Sequence, residues 1–575
     1  MPLAPVICQR RGGWGAKIVK IFTDICNRVV HSCRKAERQK PQLAGRAAAI
    51  SEEAVTDAAQ IVGKRRWPWI GVILDNIAKS GRNPTRVVAG YLAAWILFFL
   101  VLWVIPTPEG LSPQGMAVMA IVVWASLMWI SEAMPVGITG ISIPLLLIVT
   151  QAIPWVKTGN TLTPPLATVF AGFTTDVIWL CLFAFMVGGM MQLMKLDRRI
   201  AMVILLRIRA SSVGNVIWGM YGVNIVLSFL VPAANARAAA MLPVVNGIAN
   251  LLGDTPRERD AQKAIVIQSL VYGSMIGGMF IMTAHLPNLI LVNLFASNGR
   301  GISFLHWMWL NWPYLGMLPI TYLWVRSFFR IRDLQIAGGF ERIRKMHAEL
   351  GPMSQGERML LAVFGFVALL FLLSKGSPIY ELHSYALGII GLIGIMILFT
   401  PGFFSLTWRQ IEANTIWGTF LLLGGALTLT GAMASTGLAT WLAHHVHAAV
   451  TGLQWWFAML IVIIGTHVIR LGMLSNVAAV ALLAPITYKL AESIDLNPVA
   501  FALLVCNSDS FAYVLPTQIT AAVIAYSSNK FSTVDYAKVG VGSTLIGIIY
   551  TLVVMVPWYA FVGLPVWDPA APWPF

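Results

Sequence analysis

The chain has 575 residues, 58% of them hydrophobic and only 11% charged, with a net charge of +16. Soluble domains carry about 25% charged residues, so a soluble globular class is excluded, and apolar runs long enough to cross about 30 Å of hydrocarbon recur throughout. The expected fold class is an all-α polytopic membrane protein, whose 22 Trp and 27 Phe suit interfacial belts and lipid-facing surfaces.

Residues 1–86 hold 16 Lys/Arg against 6 Asp/Glu, a surplus of ten. Such an arm could meet nucleic acid, but the positive-inside rule accounts for it more simply as a cytoplasmic extension, partly disordered or lying on the membrane surface. The opening stretch MPLAPVICQRRGGWG has no apolar core, so no cleavable signal is expected. "WPWIGVILDNIAK" (67–79) places Trp and Ile against Asp75 and Lys79, a pattern suited to lying flat on a bilayer. The five cysteines, Cys8, Cys26, Cys33, Cys181 and Cys506, form no CxxC pair, and neither a disulfide framework nor a transition-metal site is indicated.

A first membrane helix is expected within 87–112, ending at the uncharged outer turn "IPTPEG". Spans at about 115–131 and 135–152 follow, divided by "SEAMP", in which Glu132 reads as structural. A long segment from "TTDVIW" to about 209 has Thr174 or Thr175 as its cap and Asp176 at the positive end of the helix. It ends in the basic cluster "KLDRRIAMVILLRIR", hence in the cytoplasm. The stretch at about 213–252 is apolar, interrupted at Pro232, and basic at both ends. It should enter and turn back as a re-entrant hairpin. Non-helical backbone at that depth survives only when buried or lining a watery cavity, which makes the tip "PAANARAAAMLP" (232–243) a candidate site. A span at about 264–296, broken at "TAHLPNLI", and another at about 313–328 complete a first repeat, 113–328. The basic loop 329–357 is cytoplasmic.

Residues 358–563 replay this order. Spans at about 358–376 and 383–400 precede "IWGTFLLLGGALTLTGAMASTGLATWLA", which matches "VIWLCLFAFMVGGMMQLMKLDRRIA", and each carries a Gly-Gly pair. A second hairpin at about 453–490 turns at "GMLSNVAAVALLAP", a span breaks at "YVLPTQIT", and a last span covers about 542–563, leaving a short external tail, 564–575. Arg409, Lys530 and Lys538 give this half the opposite orientation. The expectation is about eleven transmembrane helices plus two re-entrant hairpins in two inverted repeats, the pattern of a secondary transporter with a midplane site. No HExxH, GxSxG or paired-Asp helix occurs, and His467 lies eight residues from Ser475, so an intramembrane hydrolase is disfavoured. No P-loop suggests an ATP-driven pump, and no repeated filter sequence suggests a channel.

From about residue 87 the sequence resembles the divalent anion:sodium symporter family of dicarboxylate, citrate and sulfate transporters. The resemblance is carried by "WISEAMPVGITGISIPLLL" (129–147), "PAANARAAAMLPVV" (232–245), "HLPNLI" (285–290), "GPMSQGER" (351–358), "GGALTLTGAMASTGLA" (424–439), "SNVAAVALLAPI" (475–486) and "LPTQIT" (515–520), in that order. It implies a homodimer in the plasma (bacterial inner) membrane, with scaffold and transport domains moving as an elevator. The N-terminus would be cytoplasmic and the C-terminus outside. It implies lipid and a small anion as partners, with no nucleic acid, enzyme activity or organic cofactor. Substrates would be di- or tricarboxylates such as succinate, malate or citrate, with sodium as coupling ion; the alternatives are a sodium-independent anion exchanger using Arg237 in place of a cation, or a sulfate transporter.

By the same resemblance, substrate contacts fall on Asn235, Arg237, Asn288, Ser475, Asn476, Pro516 and Thr517. Sodium would sit near backbone oxygens of Ala234, Asn235, Gly277, Gly278, Gly424, Gly425, Ser475 and Asn476. The family's hairpin tips read Ser-Asn-Thr. Here the second keeps Ser475-Asn476 but has Val477, and the first has lost its hydroxyls, aligning either as Pro-x-x-x-Ala-Arg or one residue shifted. Arg237 therefore has three readings: fixed charge where relatives hold sodium, a bidentate partner for an anion, or a partner of structural carbonyls. Arg470 reads as substrate attraction or as a pair with Asp509. His285 and Gln518 read as hydrogen-bonding fillers, and Asn507, Ser508 and Asp509 as cavity-lining groups.

Overall fold

A computed structural model describes residues 84–575 apart from 159–160, 332–333, 375–381, 384 and 474, together with residues 74, 76 and 77. The expectations for the basic extension, the surface-lying stretch and Cys8, Cys26 and Cys33 fall almost wholly outside these residues. From Val88 onward the chain packs as one unit.

Helix α1 spans Pro84–Phe99 and runs on through a π turn, Leu100–Val104. The Ser112 hydroxyl accepts from Gly115 N at 3.0 Å and so caps α2, Pro113–Ser131. Glu132 ends α2 with φ +53°, and α3, Val136–Val149, starts after the turn. The expected long segment is two helices, α4 (Asp176–Met194) and α5 (Leu196–Arg207), parted by Lys195 at φ +59°. Thr175 is at the N-cap position of α4, but its hydroxyl donates to Gly172 O at 3.2 Å instead of accepting from the helix. Then come α6 (Val213–Leu230), α7 (Ala234–Ala249), and α8 (Pro256–Val266), which continues through a π turn to Phe280. After a break come α9 (Leu286–Ser297) and α10 (Met317–Phe328).

The second half gives α11 (Gln355–Leu372), α12 (Leu387–Leu398), α13 (Trp417–Ser435), α14 (Leu438–Val450), α15 (Trp455–Arg470), α16 (Asn476–Ser493), α17 (Pro498–Asp509), α18 (Thr520–Tyr526) and α19 (Thr533–Tyr550). Shorter helices, Phe304–Asn311, Gly339–Ala348, Trp408–Asn414 and Val556–Phe561, lie between or after these. The left-handed residue between α4 and α5 recurs, as Gly437 at φ +79° between α13 and α14. Among the described residues eight helices are long and apolar enough to cross a membrane, and five further apolar ones, including α3, α9, α12, α15 and α17, are shorter.

The halves interlock through small residues. Helix α3 packs on α13, and α12 packs on α4. A Cβ on Gly137 would lie 2.4 Å from Gly418 O, and one on Gly425 would lie 2.1 Å from Gly140 O. In the counterpart pair a Cβ on Gly388 would lie 2.5 Å from Asp176 O. Backbones this close are how apolar helices associate where the hydrophobic effect offers nothing. Gly424 faces the Phe173 ring, 2.3 Å from where its Cβ would be. The Gly424-Gly425 pair thus lies in the helix packing, with its Cα atoms against the Phe173 ring and the Gly140 backbone.

Two sets of contacts mark the ends of the bundle. Arg199 on α5 pairs with Glu357 at 2.6 Å and donates to the carbonyls of Leu350, Gly351 and Pro352. Val213 N and Ile336 N exchange backbone bonds with Leu334 O and Ser211 O. Both segments expected in the cytoplasm thus meet. Elsewhere Ser112 Oγ donates to Thr436 O, and Trp441 Nε1 to Glu109 O, each at 3.0 Å. The turn between α13 and α14 therefore meets the "IPTPEG" turn, while its counterpart beside Lys195 meets the basic loop.

Candidate functional site

Four interruptions break the helices. The first hairpin turns at Val231–Ala233, where Pro232 supplies no N–H and Ala233, the N-cap of α7, has no side chain to cap with. The second turns between Arg470 and Asn476, and there the Ser475 hydroxyl accepts from Ala478 N at 3.3 Å. Helices α8 and α9 are separated by a 3₁₀ turn, Met282–Ala284, and α17 and α18 by another, Pro516–Gln518. Unwound carbonyls at such breaks need donors wherever they are buried away from water.

Two arginines supply those donors. Arg237 is fully buried; its Nη1 donates to Val231 O at 2.6 Å and Ala284 O at 3.0 Å, and its Nη2 to Ser274 O at 2.6 Å. It therefore joins the first hairpin turn to the break between α8 and α9. A guanidinium has five N–H groups, and Arg237 Nε finds no acceptor. Arg470 is also fully buried; Nη1 donates to Met473 O at 3.0 Å, and Nη2 to Gln518 O at 2.6 Å and to the Asn476 side-chain oxygen. Its Nε lies 3.3 Å from Asp509 Oδ2, an ion-pair distance without hydrogen-bond alignment. Arg470 thus reaches the hairpin tip as well as Asp509.

The two systems meet through His285, whose Nε2 lies 3.3 Å from Asn476 Nδ2 and whose Nδ1 lies 3.3 Å from Asn288 Oδ1. Asn288 in turn donates to Ile281 O at 3.1 Å, across the break. A polar chain therefore runs from Asn288 through His285 and Asn476 to Arg470. His285 is the N-cap of α9 and Asn476 the first residue of α16, so two helix N-termini abut. Helix α7 likewise packs on α18. N-termini carry partial positive charge, and with two guanidiniums behind them the region favours an anion.

Of the substrate residues expected from sequence, Arg237, Asn288 and Pro516 are buried, Asn235, Ser475 and Asn476 are partly exposed, and Thr517 is exposed. Gly278 belongs to the first crossing, since a Cβ there would lie 2.5 Å from Arg237 Nη2; Gly277 packs against the α6 backbone at Asn224. Ala234 is buried in the first turn of α7. Asn507 is taken up elsewhere, donating to Asn311 Oδ1 at 3.1 Å. The acceptors Val231, Ser274, Ala284, Met473 and Gln518 went unforeseen because carbonyls leave no side-chain signal. A cavity of about 70 Å³ reaches Pro232 and Thr283 but is walled by Leu180, Phe183, Phe229 and Phe371. It is too apolar to be the anion's seat.

Hairpins, broken helices and buried cations at the breaks are features of a membrane transporter. The sequence matches the sodium:sulfate symporter transmembrane region over residues 87–564, and the chain belongs to that family of divalent anion:sodium symporters. It is 29% identical over 486 residues to a membrane protein of Cupriavidus necator, covering 82% of this chain and 92% of the relative. It is 26% identical over 492 residues to the sodium-dependent dicarboxylate transporter SdcS of Staphylococcus saprophyticus, covering 81% and 90%. Among solved structures the Neisseria gonorrhoeae transporter MtrF, described within a class of antimetabolite efflux pumps, superposes with a TM-score of 0.50 at 13% identity, covering 79% of this chain and all of that one. That likeness is one of fold. The chain is a transporter and not an enzyme.

Proposed function

We propose that this protein is a secondary transporter of small divalent organic anions, di- or tricarboxylates such as succinate, malate and citrate, acting as a homodimer in a bacterial inner membrane. The observation that carries the reading is the junction of the two halves at His285 and Asn476. There two helix N-termini abut, partly exposed tip amides face outward, and buried guanidiniums stand behind. The anion would be held by Asn235, Ser475, Asn476 and Thr517, with Arg237 and Arg470 supplying field from within. Asn288 and Pro516 would shape the breaks.

The repeated sequence order, with equivalent turns at opposite ends of the bundle, supports two inverted repeats, 113–328 and 358–563. The crossed packing of α3 on α13 and α12 on α4 supports a scaffold against which the hairpins move as an elevator. Exposed carboxylate-binding groups at one depth would then open alternately to each side.

Sodium is the coupling ion that the family and its named relatives suggest. A resident sodium here would need free carbonyls at the breaks, and those of Val231, Ser274, Ala284, Met473 and Gln518 already accept from arginine. These five oxygens do not fit the ion. The function is tested by purified protein in vesicles loaded with unlabelled succinate. Saturable entry of labelled succinate, competed by malate and citrate, is expected. Sulfate, the second reading on the strength of the family's description, should compete more weakly. Entry of none of these anions would refute the proposal.

A further inference from the structure

We infer that this chain carries its cations covalently: the guanidiniums of Arg237 and Arg470 fill the two carbonyl cradles at the helix breaks, so anion exchanges for anion without sodium. The inference rests on the transport function proposed above and concerns coupling at that same site.

Broken-helix transporters hold sodium with carbonyls freed by unwinding and with those at half-helix C-termini. At the first crossing the groups of that kind include Val231 O, at the C-cap of α6, and Ala284 O, at the end of a 3₁₀ turn; both accept from Arg237. At the second they include Met473 O, just past α15, and Gln518 O, at the end of the other 3₁₀ turn; both accept from Arg470. A sodium ion in either place would compete for the same oxygens. At the first crossing, where no carboxylate offsets Arg237, it would also sit about 4 Å from a unit charge and lose roughly a thousandfold in affinity by repulsion alone.

The two arginines reach these cradles from opposite arms. Arg237 follows its turn, on α7, whereas Arg470 precedes its turn, as the last residue of α15. Counterpart places are thus filled from non-counterpart positions, which separates the pair from a lone structural arginine.

A mobile ion leaves with its anion, so a sodium-coupled carrier can reset empty and neutral. A guanidinium stays. Arg470 has Asp509 beside it, but the acceptors of Arg237 are all neutral carbonyls. The anion-free site retains that charge, and moving it bare through hydrocarbon is costly. A bound anion offsets it, so the carrier crosses loaded and works by exchange.

Two measurements on the full-length wild type decide this. In vesicles, succinate-for-succinate exchange should proceed at the same rate, within about twofold, in sodium, potassium or choline, and entry into anion-free vesicles should be at least tenfold slower. Exchange that rises more than tenfold with sodium, or equal entry into empty vesicles, overturns the inference. In detergent, the melting midpoint should be equal in sodium and choline chloride at matched ionic strength. An ion bound at a hundred times its dissociation constant would raise that midpoint by a few degrees, so a sodium-specific rise also overturns it. The melting series needs no substrate. If no anion is carried, the transport proposal fails while the sodium result still judges the cradles.

Discussion

Arg237 and Arg470 show what a buried cation costs and what it can be used for. Each is held by acceptors at two helix breaks at once, so truncation would strip donors from several buried carbonyls as well as remove a charge. Arg237→Ala is expected to weaken anion affinity by more than about tenfold, because it removes the charge behind the site and strips the donors from three buried carbonyls. Arg237→Lys should recover only part, since an ammonium cannot reproduce the planar fork that serves Val231, Ala284 and Ser274 together. Competition exchange assays with unlabelled succinate measure both, and full recovery by lysine would count against the fork. Asn476 is the second residue to change. Its amide joins Arg470 to His285, so Asn476→Ala should abolish anion-dependent thermal stabilisation while leaving expression intact. An Asn507→Ala variant, which loses the bond to Asn311 away from the tips, should keep that stabilisation. If Asn476→Ala keeps it too, the second tip leaves the proposed site.

At the scale of elements, glycines decide how closely the halves approach. Gly425 has the Gly140 carbonyl where a side chain would begin, whereas Gly431 on the same helix has nothing within 4 Å. Gly425→Val is therefore expected to destabilise by at least the 1–3 kcal/mol usual for overpacking. Gly431→Ala should be neutral or stabilise by up to about 1 kcal/mol. Melting midpoints of the two variants give the comparison, and equal behaviour would contradict the crossed packing of α3 on α13. The breaks themselves were legible in the sequence, because Pro232, Pro287 and Pro516 interrupt apolar runs that otherwise read as helix. The left-handed residue at Lys195 was not, since its side chain carries no such mark and the apolar pattern continues past it. The pairing of Arg470 with Asp509 was readable as one of two alternatives from buried charges of opposite sign. Its bond to Asn476 was not, since a helix end that bends back on its own turn shortens a distance that residue counting lengthens. The acceptors of both arginines are backbone atoms, invisible to any reading of side chains.

For the whole molecule, the decisive property is which way each half faces. Arg199, beside the turn that ends α4, binds the basic loop at Leu350–Pro352 and Glu357, while the counterpart turn that ends α13 meets Glu109 and Ser112. If the basic loop is cytoplasmic, as its charge requires under the positive-inside rule, equivalent turns lie on opposite sides of the membrane. The C-terminal tail packs at the start of the second hairpin and of α17: Val566 O accepts from Asn497 N at 2.8 Å, and the Trp567 ring lies tilted against Trp455. Single cysteines should read this out in a variant whose five native cysteines are replaced. Thr107→Cys and Pro572→Cys should react with a membrane-impermeant maleimide in intact cells, and Lys345→Cys only after permeabilisation; all three positions are exposed. A tail that labels only from inside would place both halves in the same orientation. The hairpins would then enter from one side, and a site opening alternately to the two sides could not be built from them.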